Sequence, residues 1–270
     1  MIKIVSFILK EFLSLFFESK SSFKAIKGKH INQECYIFGD GVSLKYLDLS
    51  NFSDKPAIAG NNFIFHKDFK KVNVLYYAIF EPYWFCPIFF DLLKRNKIRF
   101  NKIQLEKRKL IRENKDILFF SDLSNSLFFR SKNMFFISRK IKKMLTIKIF
   151  KQNNVNCFSG CLNVQIIIAI FLGFKKAYLV GHDYTHKNSL SGHFYEKGRG
   201  IPNNNNRWNE KFLSLASKHI DLVTITIDGD SDTLNNVNYN SLSNITFKEN
   251  CQIVTKNNRM ILSSWPDYKI

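Results

Sequence analysis

Short apolar runs that end in glycine or polar residues recur along the chain and alternate with segments of helical pattern. Five of these runs have the length of a strand, namely residues 35–38, 56–60, 72–80, 177–180 and 222–227. Residues 162–171 are almost wholly apolar and predict a buried helix, which Gly173 ends. Because strands that alternate with helices form parallel sheets, the pattern predicts an α/β fold: a Rossmann-like, mainly parallel sheet with helices on both faces.

The remaining segments follow this alternation less closely. Two further helices are predicted in them, over residues 92–112 and 208–219. Four short strand-like pieces are also predicted: residues 117–120, residues 134–137 and the surroundings of Ile245 and of Met260. No internal repeat occurs. We therefore expect a single Rossmann-like domain over residues 31–270.

The N-terminal segment has an amphipathic pattern. Residues 1–17 are strongly apolar, but Lys10 and Glu11 interrupt them. This leaves no run of about 18 apolar residues for a membrane-spanning helix, and the same charges split the apolar region of a signal peptide. Residues 1–30 therefore predict an amphipathic helix and a basic linker. The helix either lies on a membrane surface or packs against the protein's own core.

The strongly basic composition bears on partners rather than on fold. The net charge is +19, from 41 Lys and Arg against 22 Asp and Glu. AT-rich coding explains such a bias, and attraction to an anionic membrane leaflet is the second explanation. Nucleic acid ranks last as a partner, because no nucleic-acid-binding motif accompanies the charge. The five cysteines form no C-x-x-C pair, which fits a reduced cytoplasmic protein.

Three of the predicted strands end in glycine and polar residues. These ends are residues 39–41, 60–62 and 181–184. Ligands of parallel sheets bind beyond the carboxyl ends of the strands, so we expect the three ends to converge on one site. The glycines of residues 39–41 allow positive φ and close approach of a ligand, and the helix start that follows favours an anion near Ser43. Asn61 can contact a pyrimidine or a ribose through its amide donors and acceptor.

Histidines cluster around a polar segment, residues 185–208, which we expect to form a mobile lid. The spacing of His182, Asp183, His186 and His193 is not that of the H-E-x-x-H motif, and histidines in loops are often simply solvated, so no metal site is predicted. A histidine can deprotonate an acceptor hydroxyl group near neutral pH. His193 is the first candidate for this role, and His186 is its rival.

Taken in order, these motifs resemble the small bacterial sialyltransferases of lipooligosaccharide synthesis. The matching segments are residues 37–45, 60–63, 159–160 and 169–184. The resemblance implies a glycosyltransferase that takes its sugar from CMP-sialic acid, inverts configuration and needs neither a metal nor another cofactor. The family usually has asparagine where this chain has Asp40, an acid that would repel a phosphate.

The resemblance also assigns roles to individual residues. His193, or else His186, corresponds to the family's catalytic histidine on the lid, and the phosphate-binding tyrosines correspond to Tyr184 and Tyr195. The nucleotide-binding set that the resemblance implies is Gly39, Asp40, Gly41, Ser43, Asn61, Ser159, Gly160, Asp183, Tyr184 and Tyr195.

The implied partners are a CMP-activated acidic sugar and a glycan or glycolipid acceptor of lipopolysaccharide or capsule synthesis. The donor sugar is sialic acid, another nonulosonic acid or Kdo. The N-terminal segment and the basic surface predict a cytoplasmic protein in peripheral contact with the anionic inner membrane, and the sequence is compatible with a homo-oligomer. Two other functions stay open: a magnesium-dependent pterin or nucleotide pyrophosphokinase on the same fold, and a non-catalytic membrane-associated scaffold.

Overall fold

A single large parallel sheet forms the centre of the protein. The computed structural model describes residues 20–86, 97–203 and 209–264. Ten strands lie in these residues: β1 (Glu34–Phe38), β2 (Ala57–Gly60), β3 (Val74–Ile79), β4 (Leu118–Asp122), β5 (Met134–Ile137), β6 (Lys176–Val180), β7 (Ser189–Ser191), β8 (Ile201–Asn203), β9 (Asp221–Thr226) and β10 (Asn235–Asn238). Eight of them form one sheet in the order β10-β9-β6-β1-β2-β3-β4-β5, in which every neighbouring pair is parallel. The predicted Rossmann-like sheet is therefore confirmed, and β7 and β8 form a separate antiparallel pair.

Helices cover both faces of this sheet. The described helices are α1 (Lys20–Ala25), α2 (Lys97–Glu113), α3 (Arg139–Leu145), α4 (Lys148–Gln152), α5 (Cys161–Leu172), α6 (Glu210–Ala216), α7 (Asn250–Ile253) and α8 (Lys256–Leu262). Side chains alternate along β1, so that Tyr36 and Phe38 enter one hydrophobic core and Cys35 and Ile37 enter another. α2 and α8 contribute to the first core, whereas α1, α3, α5 and α6 contribute to the second.

The helix predicted over residues 162–171 is the most deeply buried one. Ten of the 12 residues of α5 are buried, as expected for a helix that is apolar on all sides. It ends at Gly173, whose φ of 90° lies in the left-handed region that glycine adopts without strain. Gln165 donates a hydrogen bond to the carbonyl oxygen of Phe38 at 2.8 Å. α5 therefore fixes the carboxyl end of β1, where the glycine turn begins.

Several local predictions were wrong. Met260 lies in α8 rather than in a strand, because the hydroxyl of Thr255 accepts a hydrogen bond from the N–H of Asn258 at 3.1 Å and caps a helix there. Ile245 lies in neither a strand nor a helix. The helix expected after the glycine turn is only a four-residue 3₁₀ turn, Val42–Lys45.

The predicted N-terminal amphipathic helix falls largely outside the described residues, which begin at Lys20. Within them α1 packs against the sheet. The buried ring of Phe23 contacts Phe120 and Phe171, with 5.9 and 5.3 Å between ring centroids. No helix within the described ranges is long and apolar enough to cross a membrane.

Candidate active site

The three strand ends that carry glycine and polar residues meet at one edge of the sheet. The N–H of Gly39 donates to the carbonyl oxygen of Val180 at 2.9 Å, and the N–H of Gly41 donates to that of Gly181 at 2.8 Å. The amide of Asn61 donates to the carboxylate of Asp40 at 3.4 Å. The convergence predicted from the sequence is therefore confirmed.

The glycine turn is shaped by close approach rather than by left-handed backbone. A Cβ atom on Gly39 would lie 2.4 Å from the carbonyl oxygen of Gly181, and one on Gly41 would lie 2.4 Å from a carboxylate oxygen of Asp183. The φ of Gly41 is −61°, which any residue adopts. The expectation of positive φ is thus wrong at Gly41. What requires glycine here is the turn after β6, which occupies the space that a side chain would fill.

Asp183 supplies a negative charge at the start of the 3₁₀ turn. One of its carboxylate oxygens accepts a hydrogen bond from the N–H of Ser43 at 2.9 Å. Burial raises the pKa of Asp183 to about 6, although the hydrogen bond from Ser43 opposes this shift. The anion expected at this turn is therefore the protein's own carboxylate in this conformation, so a ligand phosphate would need donors elsewhere on the same edge.

Tyr195 links the glycine turn to the end of β2. Its buried hydroxyl donates to the carboxylate of Asp40 at 3.4 Å and accepts a hydrogen bond from the amide of Asn62 at 3.1 Å. The hydroxyl of Tyr77 lies 3.0 Å from the carbonyl oxygens of both Gly60 and Asn61. Tyr77 therefore fixes the backbone on which Asn61 and Asn62 stand, a role that the apolar pattern of β3 did not indicate.

His193 is held by a carboxylate. The ring atom Nδ1 lies 3.1 Å from an Oε atom of Glu196. The backbone N–H of His193 donates to the same oxygen at 2.8 Å. The imidazole stacks on the ring of Tyr195, with 5.0 Å between centroids and 8° between planes. Burial lowers the pKa of His193, but the hydrogen bond to Glu196 and the negative charges of Asp40, Glu196 and Asp183 outweigh it, so the pKa is raised overall.

Glu196 is a residue of the candidate site that the sequence analysis missed. It follows His193 by three residues, a spacing that is too common in polar loops to single it out. A carboxylate that accepts a hydrogen bond from one ring nitrogen fixes the imidazole and favours the imidazolium form. The pair therefore has the arrangement of a general base with its orienting acid.

Burial alone shifts the pKa of the other two histidines near this edge. Burial lowers the pKa of His186 to about 4, and its Nδ1 has no hydrogen-bond partner among the described residues. It lines a cavity of about 180 Å³ with Ser43 and Asp183, whereas His193 lines one of about 340 Å³ on the lid side. Burial also lowers the pKa of His182, to about 3. Both residues are therefore neutral at pH 7.

Ser159 and Gly160 precede the first turn of α5 and reach the same edge. Gly160 has a φ of 89° and is the N-cap of α5, and both residues are exposed. The thiol of Cys161 donates to the carbonyl oxygen of Ala78 in β3 at 3.9 Å. A Cβ atom on Gly60 would lie 2.4 Å from that sulfur. The start of α5 therefore touches the end of β2.

The predicted lid packs onto the glycine turn. The ammonium of Lys45, which is fully buried, donates to the carbonyl oxygens of Glu196 and Gly198. Burial lowers the pKa of Lys45 to about 8, with Glu196 acting in the opposite direction. The N–H of Val42 donates to the carbonyl oxygen of Gly192 at 3.0 Å. Phe194 and Tyr195 are buried in the first core, so the described part of the lid is closed over residues 40–45.

Metal-ligating side chains do not gather in the described part of the chain. No group of three or more His, Cys, Asp or Glu residues there has the geometry to hold a metal ion.

No protein-family model and no curated protein sequence matches the chain. Among solved structures it is similar to the sialyltransferase CstII from Campylobacter jejuni in complex with cytidine-5′-monophosphate, with 17% identity over 87% of this chain and 98% of that chain and a TM-score of 0.48. It is also similar to the monofunctional α-2,3-sialyltransferase Cst-I from Campylobacter jejuni, with 16% identity over 81% of this chain and 84% of that chain and a TM-score of 0.43. A third is the MAf glycosyltransferase from Magnetospirillum magneticum AMB-1, with 11% identity and a TM-score of 0.45; the similarity covers 88% of this chain but only 38% of that one. These structural neighbours are glycosyltransferases, and two of them are sialyltransferases, the family that the sequence motifs resemble.

Proposed function

We propose that the protein is an inverting, metal-independent glycosyltransferase that moves a sialic-acid-like sugar from a CMP-activated donor to a surface glycan or a lipid-linked acceptor. The observation that carries this proposal is the His193–Glu196 pair, which lies beside Tyr195 and Asp40 at the carboxyl edge of a parallel sheet. That edge is where α/β proteins bind nucleotides. The order of the sequence motifs along the chain supports the choice of a CMP-sugar.

His193 acts as the general base in this proposal. Its neutral imidazole removes the proton from the acceptor hydroxyl as that oxygen attacks the anomeric carbon of the donor. Glu196 orients the ring and stabilises the imidazolium that forms. His186 is the weaker candidate because burial lowers its pKa to about 4 and no described carboxylate orients it.

The nucleotide lies along the three strand ends in this proposal. Asn61 contacts the cytidine or its ribose, and the hydroxyls of Tyr184 and Tyr195 donate hydrogen bonds to the leaving phosphate. Ser159 and Gly160 present the start of α5 to the anionic part of the donor. Gly39, Gly41, Ser43 and Asp183 shape the floor of the site through their contacts with one another. Asp40, the last member of the nucleotide-binding set, contacts Asn61 and Tyr195.

The lid and the basic surface complete the proposal. Residues 185–208 exclude water from the donor when they cover the site, which limits hydrolysis. The net charge of +19 and the basic N-terminal segment hold a cytoplasmic protein near the anionic inner membrane, where a lipid-linked acceptor is available. Structures of CstII are described with CMP, with CMP-3FNeuAc and with a trisaccharide acceptor, and these are the ligand classes proposed for this chain.

A transfer assay in EDTA tests the function and the base together. We expect the purified protein to release CMP from CMP-sialic acid in the presence of a glycan acceptor, and chelation to leave the rate unchanged. His193→Ala should lower the rate of transfer about 100-fold or more while CMP still binds. Glu196→Gln should lower it less, because the imidazole remains.

The matched controls are His219→Ala and Glu210→Gln, which remove an exposed histidine and an exposed glutamate. Both should retain wild-type turnover. Near-normal turnover of His193→Ala would remove His193 from the mechanism. A wild-type protein that leaves CMP-sialic acid, CMP-Kdo and related CMP-sugars intact would contradict the proposed function itself.

A further inference from the structure

Lys107, on α2, carries a buried ammonium that no described residue neutralises by contact. Its side chain is 2% exposed. Within the described ranges it makes no ion pair and no hydrogen bond; its ammonium lies 4.4 Å from the ring centroid of Trp84. Burial lowers the pKa of Lys107, whereas the negative charges of Glu81 and Asp40 act in the opposite direction. An aromatic face compensates only part of the cost of burying such a charge.

The position of this lysine is fixed by its neighbours on the same helix. Gln104 donates to the carbonyl oxygen of Trp84 at 2.6 Å, and Arg108 donates to that of Phe85 at 2.7 Å. These bonds hold the face of α2 against residues 84–85 on both sides of Lys107.

The ammonium lies close to the edge of the sheet that holds the candidate active site. The Trp84 ring that it contacts follows the carboxyl end of β3 by five residues. The thiol of Cys161 donates to the carbonyl oxygen of Ala78, near that same end of β3, at 3.9 Å. Cys161 is the first residue of α5, a 12-residue helix whose N-terminus carries a partial positive charge. Lys107 also lies within electrostatic reach of Asp40, in the glycine turn. A helix N-terminus and an ammonium without an ion-pair partner among the described residues thus border the same region.

We propose that Lys107 and the N-terminus of α5 form the subsite for an anionic oxygen group of the ligand, a phosphate or a carboxylate. Lys107 provides a full charge from one side, and the N–H groups at the start of α5 provide hydrogen-bond donors from another. The identity of the ligand as a CMP-sugar rests on the proposed function; the existence of the anion subsite does not. The same arrangement explains how a site that contains Asp40 and Asp183 accepts an anion.

Calorimetric titrations of the full chain with cytidine, CMP and CMP-sialic acid test this subsite. Lys107→Met is compared with Lys109→Met, which removes an exposed lysine two positions along the same helix. If the subsite holds the phosphate, Lys107→Met should weaken CMP binding at least tenfold and leave cytidine binding unchanged. If it holds the carboxylate, only the additional affinity of CMP-sialic acid over CMP should be lost. Lys109→Met should bind all three ligands as the wild type does.

Wild-type affinity of folded Lys107→Met for all three ligands would overturn the proposal, and a loss confined to thermal stability would assign Lys107 a structural role. If the substitution prevents folding, NMR of the wild type with ¹³Cε-labelled lysine replaces it, with Lys107→Arg identifying the signal. CMP should shift that signal, and an unmoved signal at saturating CMP or CMP-sialic acid would overturn the subsite.

A wild type that binds no cytidine nucleotide would contradict the proposed function alone. Inorganic pyrophosphate is then the probe. Binding by the wild type and Lys109→Met but not by Lys107→Met would uphold the anion subsite, and no binding by the wild type would overturn it.

Discussion

Replacing Asp40 with asparagine tests whether a carboxylate beside Asn61 and Tyr195 weakens the binding of a nucleotide phosphate. Its two oxygens lie 3.4 Å from the amide of Asn61 and 3.4 Å from the hydroxyl of Tyr195. Asparagine has the same size and keeps one acceptor oxygen, so we expect the fold to be unchanged. A phosphate oxygen that accepts a hydrogen bond from Tyr195 would lie about 3 Å beyond that hydroxyl, and so about 6 Å from the carboxylate.

The magnitude follows from this distance. Two unit charges about 6 Å apart interact by roughly 0.7 kcal/mol at the dielectric constant of water and by roughly 3 kcal/mol at an effective value of about 20. Removing the charge should therefore tighten CMP binding about 3- to 100-fold. In addition, Tyr195 would no longer share its proton with a carboxylate. Although burial lowers the pKa of His193, the charge of Asp40 is among those that raise it. The acid limb of the pH–rate profile should thus move to lower pH, because His193 must be neutral to act.

The assay is calorimetric titration with CMP at low and high ionic strength, followed by a pH–rate profile. Asp116→Asn is the matched control, because it removes one exposed carboxylate just before β4, at the opposite edge of the sheet. Only Asp40→Asn should bind CMP more tightly, and added salt should reduce the difference. An unchanged or weaker affinity in folded Asp40→Asn, together with an unshifted pH profile, would refute the electrostatic role of Asp40.

Three further substitutions test how the site is held together. Burial raises the pKa of Asp183 from 3.8 to about 6, so the native protein binds more protons than the unfolded chain within that window. The wild-type free energy of unfolding should fall by up to about 3 kcal/mol as the pH rises through it. Asp183→Asn should lack this fall in urea denaturation, and parallel pH curves for the two proteins would argue against the raised pKa. Lys45→Met removes the donor to the carbonyl oxygens of Glu196 and Gly198. Hydrogen exchange at residues 196–200 should therefore accelerate about tenfold, which corresponds to about 1.4 kcal/mol. Unchanged exchange would show that Lys45 does not hold the lid. Gly41→Ala places a methyl group 2.4 Å from the carboxylate of Asp183 and should lower the free energy of unfolding by about 1–3 kcal/mol; an unchanged melting temperature would mean that the two turns separate easily.

Features of the fold that depend on residues close together in the sequence could be predicted. The apolar run of α5 and the glycine that ends it are local signals, and so are the glycine and polar residues at the ends of β1, β2 and β6. Because all strands of a parallel sheet present their carboxyl ends at one edge, local turn signals were sufficient to predict that these ends converge. The order of the motifs then gave the resemblance to sialyltransferases, which implies the proposed nucleotide-sugar chemistry.

Features that depend on the register of distant segments could not be predicted. Ser43 and Asp183 are 140 residues apart, so only the pairing of β1 with β6 reveals that a protein carboxylate occupies the start of the 3₁₀ turn. Lys107 belongs to a run of basic residues in which exposed and buried lysines have the same local pattern. Its burial arises from the packing of α2 on Trp84. Glu196 orients the imidazole of His193 only when the lid is folded and that ring stacks on Tyr195.

The proposed binding of a cytidine nucleotide at the carboxyl edge of the sheet is tested most directly by titrating the purified chain with CMP, GMP and ATP in EDTA. We predict that CMP binds at submillimolar concentration without a metal ion, and that GMP and ATP bind far more weakly. Repeating the titration with magnesium tests the alternative that the protein is a magnesium-dependent pyrophosphokinase. Failure of CMP to bind at millimolar concentration, while a purine nucleotide binds with magnesium, would contradict the proposed site.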